Sequence, residues 1–133
     1  MGIFGVGATF NNTEDVSKDF IDNNIAGIGW GEKYAPDLYQ FIQSLKVGDI
    51  IYIKSFAPKS QMITIKAIGI IIDDKIVKKF SIGEHKIGIG RNIKWLNKKT
   101  FTIKNPQGKH NVVNNSFYEE FNPEIQKAII DRI

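Results

Sequence analysis

The chain has 133 residues, 42% of them hydrophobic and 24% charged, which suits one ordered domain over residues 1–133 with one core. It contains no cysteine, so disulfides, thiolate zinc sites and cysteine nucleophiles are excluded. The net charge of +4 is unevenly spread, with ten basic residues against the single acid Glu84 between Lys75 and Lys109; such a block is either a solvated lysine-rich face or a phosphate-binding one.

Ile3–Phe10 reads as a strand interrupted by glycines. Residues 11–24 read as a helix capped by Asn12 or Thr13, with Glu14 and Asp15 in the first turn and Asn23-Asn24 at its end. Ile25–Trp30 is a second short strand. Tyr34–Leu45 is a second helix: Pro36 and Asp37 suit its first turn, and Leu38, Phe41, Ile42 and Leu45 follow the helical period. Lys46-Val47-Gly48-Asp49 is a tight turn in which Asp49 holds backbone N–H groups.

Asp49–Phe56 and Met62–Asp73 are strands rich in β-branched residues. Residues 76–85 are ambiguous. Lys86–Leu96 and Lys99–Lys104 read as a strand pair around Asn97-Lys98, residues 105–111 as a loop, and the chain closes on a short helix capped by Asn122. The order indicates an α+β domain on a strongly bent antiparallel sheet or small barrel with flanking helices, with Gly69, Gly83, Gly88 and Gly90 at its bends.

No nucleophile elbow, phosphate loop or H-E-x-x-H pattern is present. Gly5 and Gly7 open a glycine pattern that no third glycine completes at a helix start. His85 and His110 have no carboxylate or second histidine at ligand spacing and read as surface residues. Binding is therefore expected rather than catalysis, with no metal and no cofactor. No signal-peptide pattern is read at the start, and the longest apolar run, residues 67–72, is too short to span a bilayer. A reducing, cytoplasmic setting without membrane attachment is the expectation.

The stretch AGIGWGEKY, residues 26–34, sets Trp30 between Gly29 and Gly31. It is followed by a helix, then LKVGDIIYIKSF (45–56), then ITIKAIGIII (63–72). I-G-W, a helix, K-V-G-D and A-I-G in this order resemble the PUA-like superfamily, specifically the EVE and YTH domains and the N-terminal DNA-binding domain of McrBC-type restriction systems. The resemblance covers roughly residues 3–72, with a weaker echo in residues 93–101; GATF (7–10) stands where EVE domains carry K-S-E-P.

The resemblance implies a PUA-like barrel whose tryptophan lines a pocket for a base, often modified, extruded from a duplex or found in a single strand. An aromatic face gives about 1–3 kcal/mol per stacked base, which offsets the few kcal/mol of unstacking. Flanking glycines would let backbone approach the guest; the alternative is that Trp30 plugs a barrel end. The other ligand candidates are Thr9, Phe10, Tyr34, Lys54, Ser55, Phe56 and Trp95, each also readable as core or solvated surface. Candidate phosphate contacts are Lys78, Lys79, Arg91, Lys94, Lys98 and Lys99, with Lys75, Lys86 and Lys104 beside them. The implied partner is DNA or RNA. A free nucleotide or other small metabolite, or a protein partner such as a nuclease or motor subunit, are the alternatives.

Overall fold

The computed structural model describes residues 1–10, 14–57, 59–106 and 116–133, leaving aside the Phe10 side chain. In chain order the described elements are β1 (Ile3–Gly7), β2 (Thr9–Phe10), β3 (Glu14–Asp15), α1 (Ser17–Asn23), β4 (Ile25–Ile28), α2 (Pro36–Ser44), β5 (Ile50–Ala57), β6 (Met62–Ile71), β7 (Val77–Ile82), β8 (His85–Asn97), β9 (Phe101–Lys104), β10 (Phe117–Glu119) and α3 (Pro123–Ile130). Eight strands form one strongly curled half-barrel sheet, six along the path β10-β1-β5-β6-β8-β4 with β7 paired to β8 and β9 to β6, and β2 pairs with β3 as a separate ribbon. Among the described residues, no helix is long and apolar enough to cross a membrane.

The curl follows from the strands' own irregularities. The β5–β6 register shifts between Ile53 and Lys54, and the β6–β8 register between Ile68 and Gly69. Each such irregularity bends its strand and adds twist. Gly69 is required there, because a Cβ would lie 2.7 Å from Trp95 Cε3. The expected bends at glycine are thus met at position 69. Gly83 instead serves the turn joining β7 to β8, with φ +56°.

The sheet buries both faces. Ile51, Ile53, Ala67 and Ile71 join Phe20, Ile28, Ile42 and Ile89 in the core inside the curl. Ile50, Tyr52, Ile63, Ile65 and Ile68 meet Ile125 and Ile129 of α3 in a second core outside it. Alternate residues of β5 therefore serve opposite cores, as a strand buried on both faces requires. At roughly 25 cal/mol per Å² of buried apolar surface, these isoleucine-rich layers are the main source of stability.

The Lys46–Asp49 turn forms as expected. Gly48 takes φ +95°, and the Asp49 carboxylate accepts from Lys46 N at 2.8 Å and Gly2 N at 3.0 Å. Asn122 caps α3, its side-chain oxygen accepting from Glu124 N at 2.9 Å and Ile125 N at 3.3 Å. Pro36 stands in the first turn of α2.

Other expectations are corrected. The sheet is mixed, because β1 and β5 run parallel. The first helix is shorter than residues 11–24 and begins at Ser17. Glu14 and Asp15 pair with Phe10 and Thr9 in the β2–β3 ribbon instead, and Asp15 Oδ1 accepts from Ser17 N at 2.9 Å. The proposed caps Asn12 and Thr13 lie outside the described residues. Asn24 ends α1 in the left-handed conformation, φ 54°, which asparagine tolerates. The ambiguous stretch becomes β7. β8 and β9 do not pair with each other; both pair with β6, along different halves of it.

Candidate functional site

Trp30 lies two residues past the end of β4. Its main chain is fastened while its side chain is open. The Tyr39 hydroxyl of α2 donates to the Trp30 carbonyl at 2.8 Å, and Tyr39 itself is buried. Gly88 of β8 makes this approach possible, since a Cβ there would run into the Tyr39 hydroxyl and the Trp30 carbonyl. Trp30 nevertheless stays 56% exposed, and Tyr34, four residues on, 74% exposed. Tyr34 N bonds back to Gly31 O at 3.0 Å. The Lys33 ammonium sits 5.8 Å from the Tyr34 ring centroid. The plug reading of Trp30 therefore does not hold: the ring is presented to solvent on a braced turn.

The lysines fall into separate groups. β8 is flanked by β4 on one edge and by β7 on the other; Ile28 of β4 and Lys78 of β7 both pair with Ile89. Lys79, between the paired Lys78 and Phe80, is level with Gly88. Two strand spacings, about 10 Å, thus separate the β4 backbone from that of Lys78 and Lys79, both exposed. Lys94 is also exposed but pairs with Ile70 far along β8. Lys98 and Lys99 lie beyond the end of that strand, roughly 30 Å from Gly88 at about 3.3 Å per residue.

Two candidates turn inward. Arg91 is 2% exposed, and its guanidinium is spent on backbone. Nε donates to Lys75 O at 3.1 Å, Nη2 to Asp73 O at 3.0 Å, and Nη1 to Ile42 O at 3.0 Å and to Leu45 O. Burial lowers its pKa, and Asp73, Asp49 and Asp74 pull it back up. Arg91 leaves the phosphate-contact set; it caps the carbonyl end of α2. Trp95 is 7% exposed, lies in the inner core and donates Nε1–H to Phe20 O at 3.1 Å. Its role is packing, not a cage wall.

The β5 candidates occupy another neighbourhood. Lys54 is buried on the α3 side with its ammonium 5.5 Å from the Tyr118 ring centroid. Nearby, the Tyr52 hydroxyl donates to Glu120 Oε1 at 2.6 Å and lies 2.8 Å from the Tyr118 hydroxyl. Phe56 packs partly buried on the outer core, and Ser55 pairs with Thr64 at intermediate exposure. Thr9 is exposed and pairs with Asp15. Phe10 pairs with Glu14 through its backbone, and its side chain lies outside what is described. The structure thus leaves Trp30, Tyr34, Lys78 and Lys79 exposed on elements that adjoin β8 and places Lys54, Ser55 and Phe56 elsewhere, on β5.

Burial pushes Lys54 down from the usual 10.5 to about 8. Between those values the unfolded chain keeps a proton that the folded chain has released, so stability rises with pH. At 1.36 kcal/mol per pKa unit the full rise is on the order of 3 kcal/mol. Tyr52 and Tyr118 act the other way: burial, first among the causes, raises both above 10, so stability falls once unfolded tyrosines ionise. Urea unfolding from pH 7 to 11 should therefore give a maximum near pH 9–10. Lys54→Met should flatten the rising limb and keep the falling one.

His85 corrects the surface reading. Its Nε2 lies 2.9 Å from Glu14 Oε2 and its Nδ1 3.1 Å from Asp19 Oδ2. The histidine therefore ties the β2–β3 ribbon and α1 to the start of β8. No local pattern could have revealed this, because both carboxylates come from some seventy residues upstream. His110 lies outside the described residues.

These features define a mixed α/β half-barrel that displays a braced aromatic turn after β4 and an exposed lysine pair on β7. No protein-family model matches the chain, and no curated protein matches it.

Proposed function

We propose that the chain is a PUA-like nucleic-acid-binding module that stacks an unpaired or flipped base on Trp30 and holds phosphates with Lys78 and Lys79. The observation that carries the reading is the pairing of a 56% exposed indole with a fixed backbone. Exposing so large an apolar ring forgoes burial energy, and fastening its main chain lowers the entropy lost when a guest stacks on it. The open ring favours a surface platform over an enclosed cage. The second element is the exposed pair Lys78 and Lys79 on β7, which shares β8 with β4, since positive charge meets the backbone that a stacked base carries with it. Order and spacing of I-G-W, K-V-G-D and A-I-G support the PUA-like assignment, as does the curled sheet.

Trp30→Ala should weaken binding of a fluorescent single-stranded oligonucleotide tenfold or more, consistent with about 1–3 kcal/mol of stacking. Lys78→Glu with Lys79→Glu should weaken it comparably and lower the slope of log K against log salt by about two contacts' worth. Lys98→Glu with Lys99→Glu, at the far end of β8, should change affinity by no more than about twofold. Absence of binding by native protein at low salt, in DNA and RNA alike, overturns the proposal. Equal affinity for a mononucleotide and an oligonucleotide would instead favour a small-molecule sensor.

A further inference from the structure

We infer that Tyr39 is the positioning residue of this platform: its hydroxyl anchors the main chain at Trp30, on which the ring is mounted. The inference rests on the binding reading for its functional consequence, but its geometry stands apart from it. Trp30 follows β4, which ends at Ile28, so no ladder bond of that strand holds its carbonyl. The hydroxyl of Tyr39 takes that place at 2.8 Å. A phenol is protonated and able to donate at neutral pH, and burial, followed by the charge of Glu32, raises the Tyr39 pKa further.

Three elements converge at this point. α2 contributes the donor, the turn after β4 contributes the acceptor, and β8 contributes Gly88, whose missing side chain leaves room for both. Gly88 is also level with Lys79 across the β7–β8 ladder. One residue of bare backbone therefore abuts the tether on one side and the lysine strand on the other. Loss of the tether frees the turn that carries the ring while leaving the β7–β8 pairing in place. The ring contacts of Tyr39 with the inner core survive loss of the hydroxyl, so packing and positioning are separable.

The test is Tyr39→Phe. Trp95 is buried and Trp30 exposed, so the tryptophan emission that acrylamide quenches reports Trp30. Time-resolved anisotropy of that component should decay faster in Tyr39→Phe, while the melting temperature falls by only a few degrees. Affinity for a single-stranded oligonucleotide should drop about fivefold, and the double variant with Lys79→Ala should be less than additive. Unchanged anisotropy decay overturns the inference, whatever happens to affinity, because the hydroxyl would then not hold the ring. Full additivity with Lys79→Ala overturns it too. If native protein binds no oligonucleotide, the functional reading falls, while the anisotropy comparison still decides whether Tyr39 holds Trp30.

Discussion

Replacing Arg91 with alanine should destabilise the protein more than any change at the exposed lysines. The guanidinium serves carbonyls of Ile42, Leu45, Asp73 and Lys75. Two of these close α2, whose last turn has no basic residue of its own. Buried carbonyls without donors cost about 1–3 kcal/mol each when left unpaired, and water entering the gap recovers part of that. A net loss of about 3–5 kcal/mol is expected, in the range for breaking a buried charged network. It should appear as a melting point lower by more than about 10 °C. Lysine at this position should rescue little, since one ammonium cannot reach four carbonyls in the planar fork that arginine presents. A loss below about 1 kcal/mol would show that the carbonyls find water at little cost.

The second large effect is expected at Gly88. Alanine there places a methyl against the Tyr39 hydroxyl and the Trp30 carbonyl. One of these is main chain, so relief requires moving the turn or part of α2. Overpacking of this kind costs about 1–3 kcal/mol, and the lost hydrogen bond adds about 1 kcal/mol. Gly88→Ala should therefore lower stability by about 2–4 kcal/mol and also alter the emission of Trp30. Gly31→Ala is the matched control: its Cβ would meet nothing nearer than Tyr34 Cδ2 at 3.7 Å, an ordinary contact. Stability loss of similar size at both positions would sink the argument.

Local chemistry was legible in the sequence and long-range pairing was not. The Lys46–Asp49 turn and the Asn122 cap depend on a few adjacent residues, and both form as read. The parallel β1–β5 pair and the shared edge of β6 depend on partners tens of residues apart. The role of Arg91 was present as a pattern. Ile87, Ile89, Arg91, Ile93 and Trp95 alternate along β8, and all five are buried. A charged residue in phase with inward isoleucines signals a buried, fully paired group, and the same phase places Trp95 inside. Lys54 gave a fainter signal, because it ends the continuous apolar run Ile50–Ile53 and shares the burial of both faces. Trp30 was found by its glycines, but its exposure is decided by Tyr39 and Gly88, which no spacing rule connects to it.

The position of β1 has a consequence for how the chain is made. Its two neighbours are β5 and β10, which begin at residues 50 and 117. Among the described strands, β1 therefore gains its second partner only once the chain beyond residue 116 has been made. A nascent chain that has not yet reached residue 117 would carry β1 as an open edge and leave the outer isoleucine layer without α3. Such unpaired edges recruit other chains. Aggregation during synthesis should be governed by how quickly the closing segment docks, and truncation near residue 116 should yield insoluble product rather than a smaller folded domain.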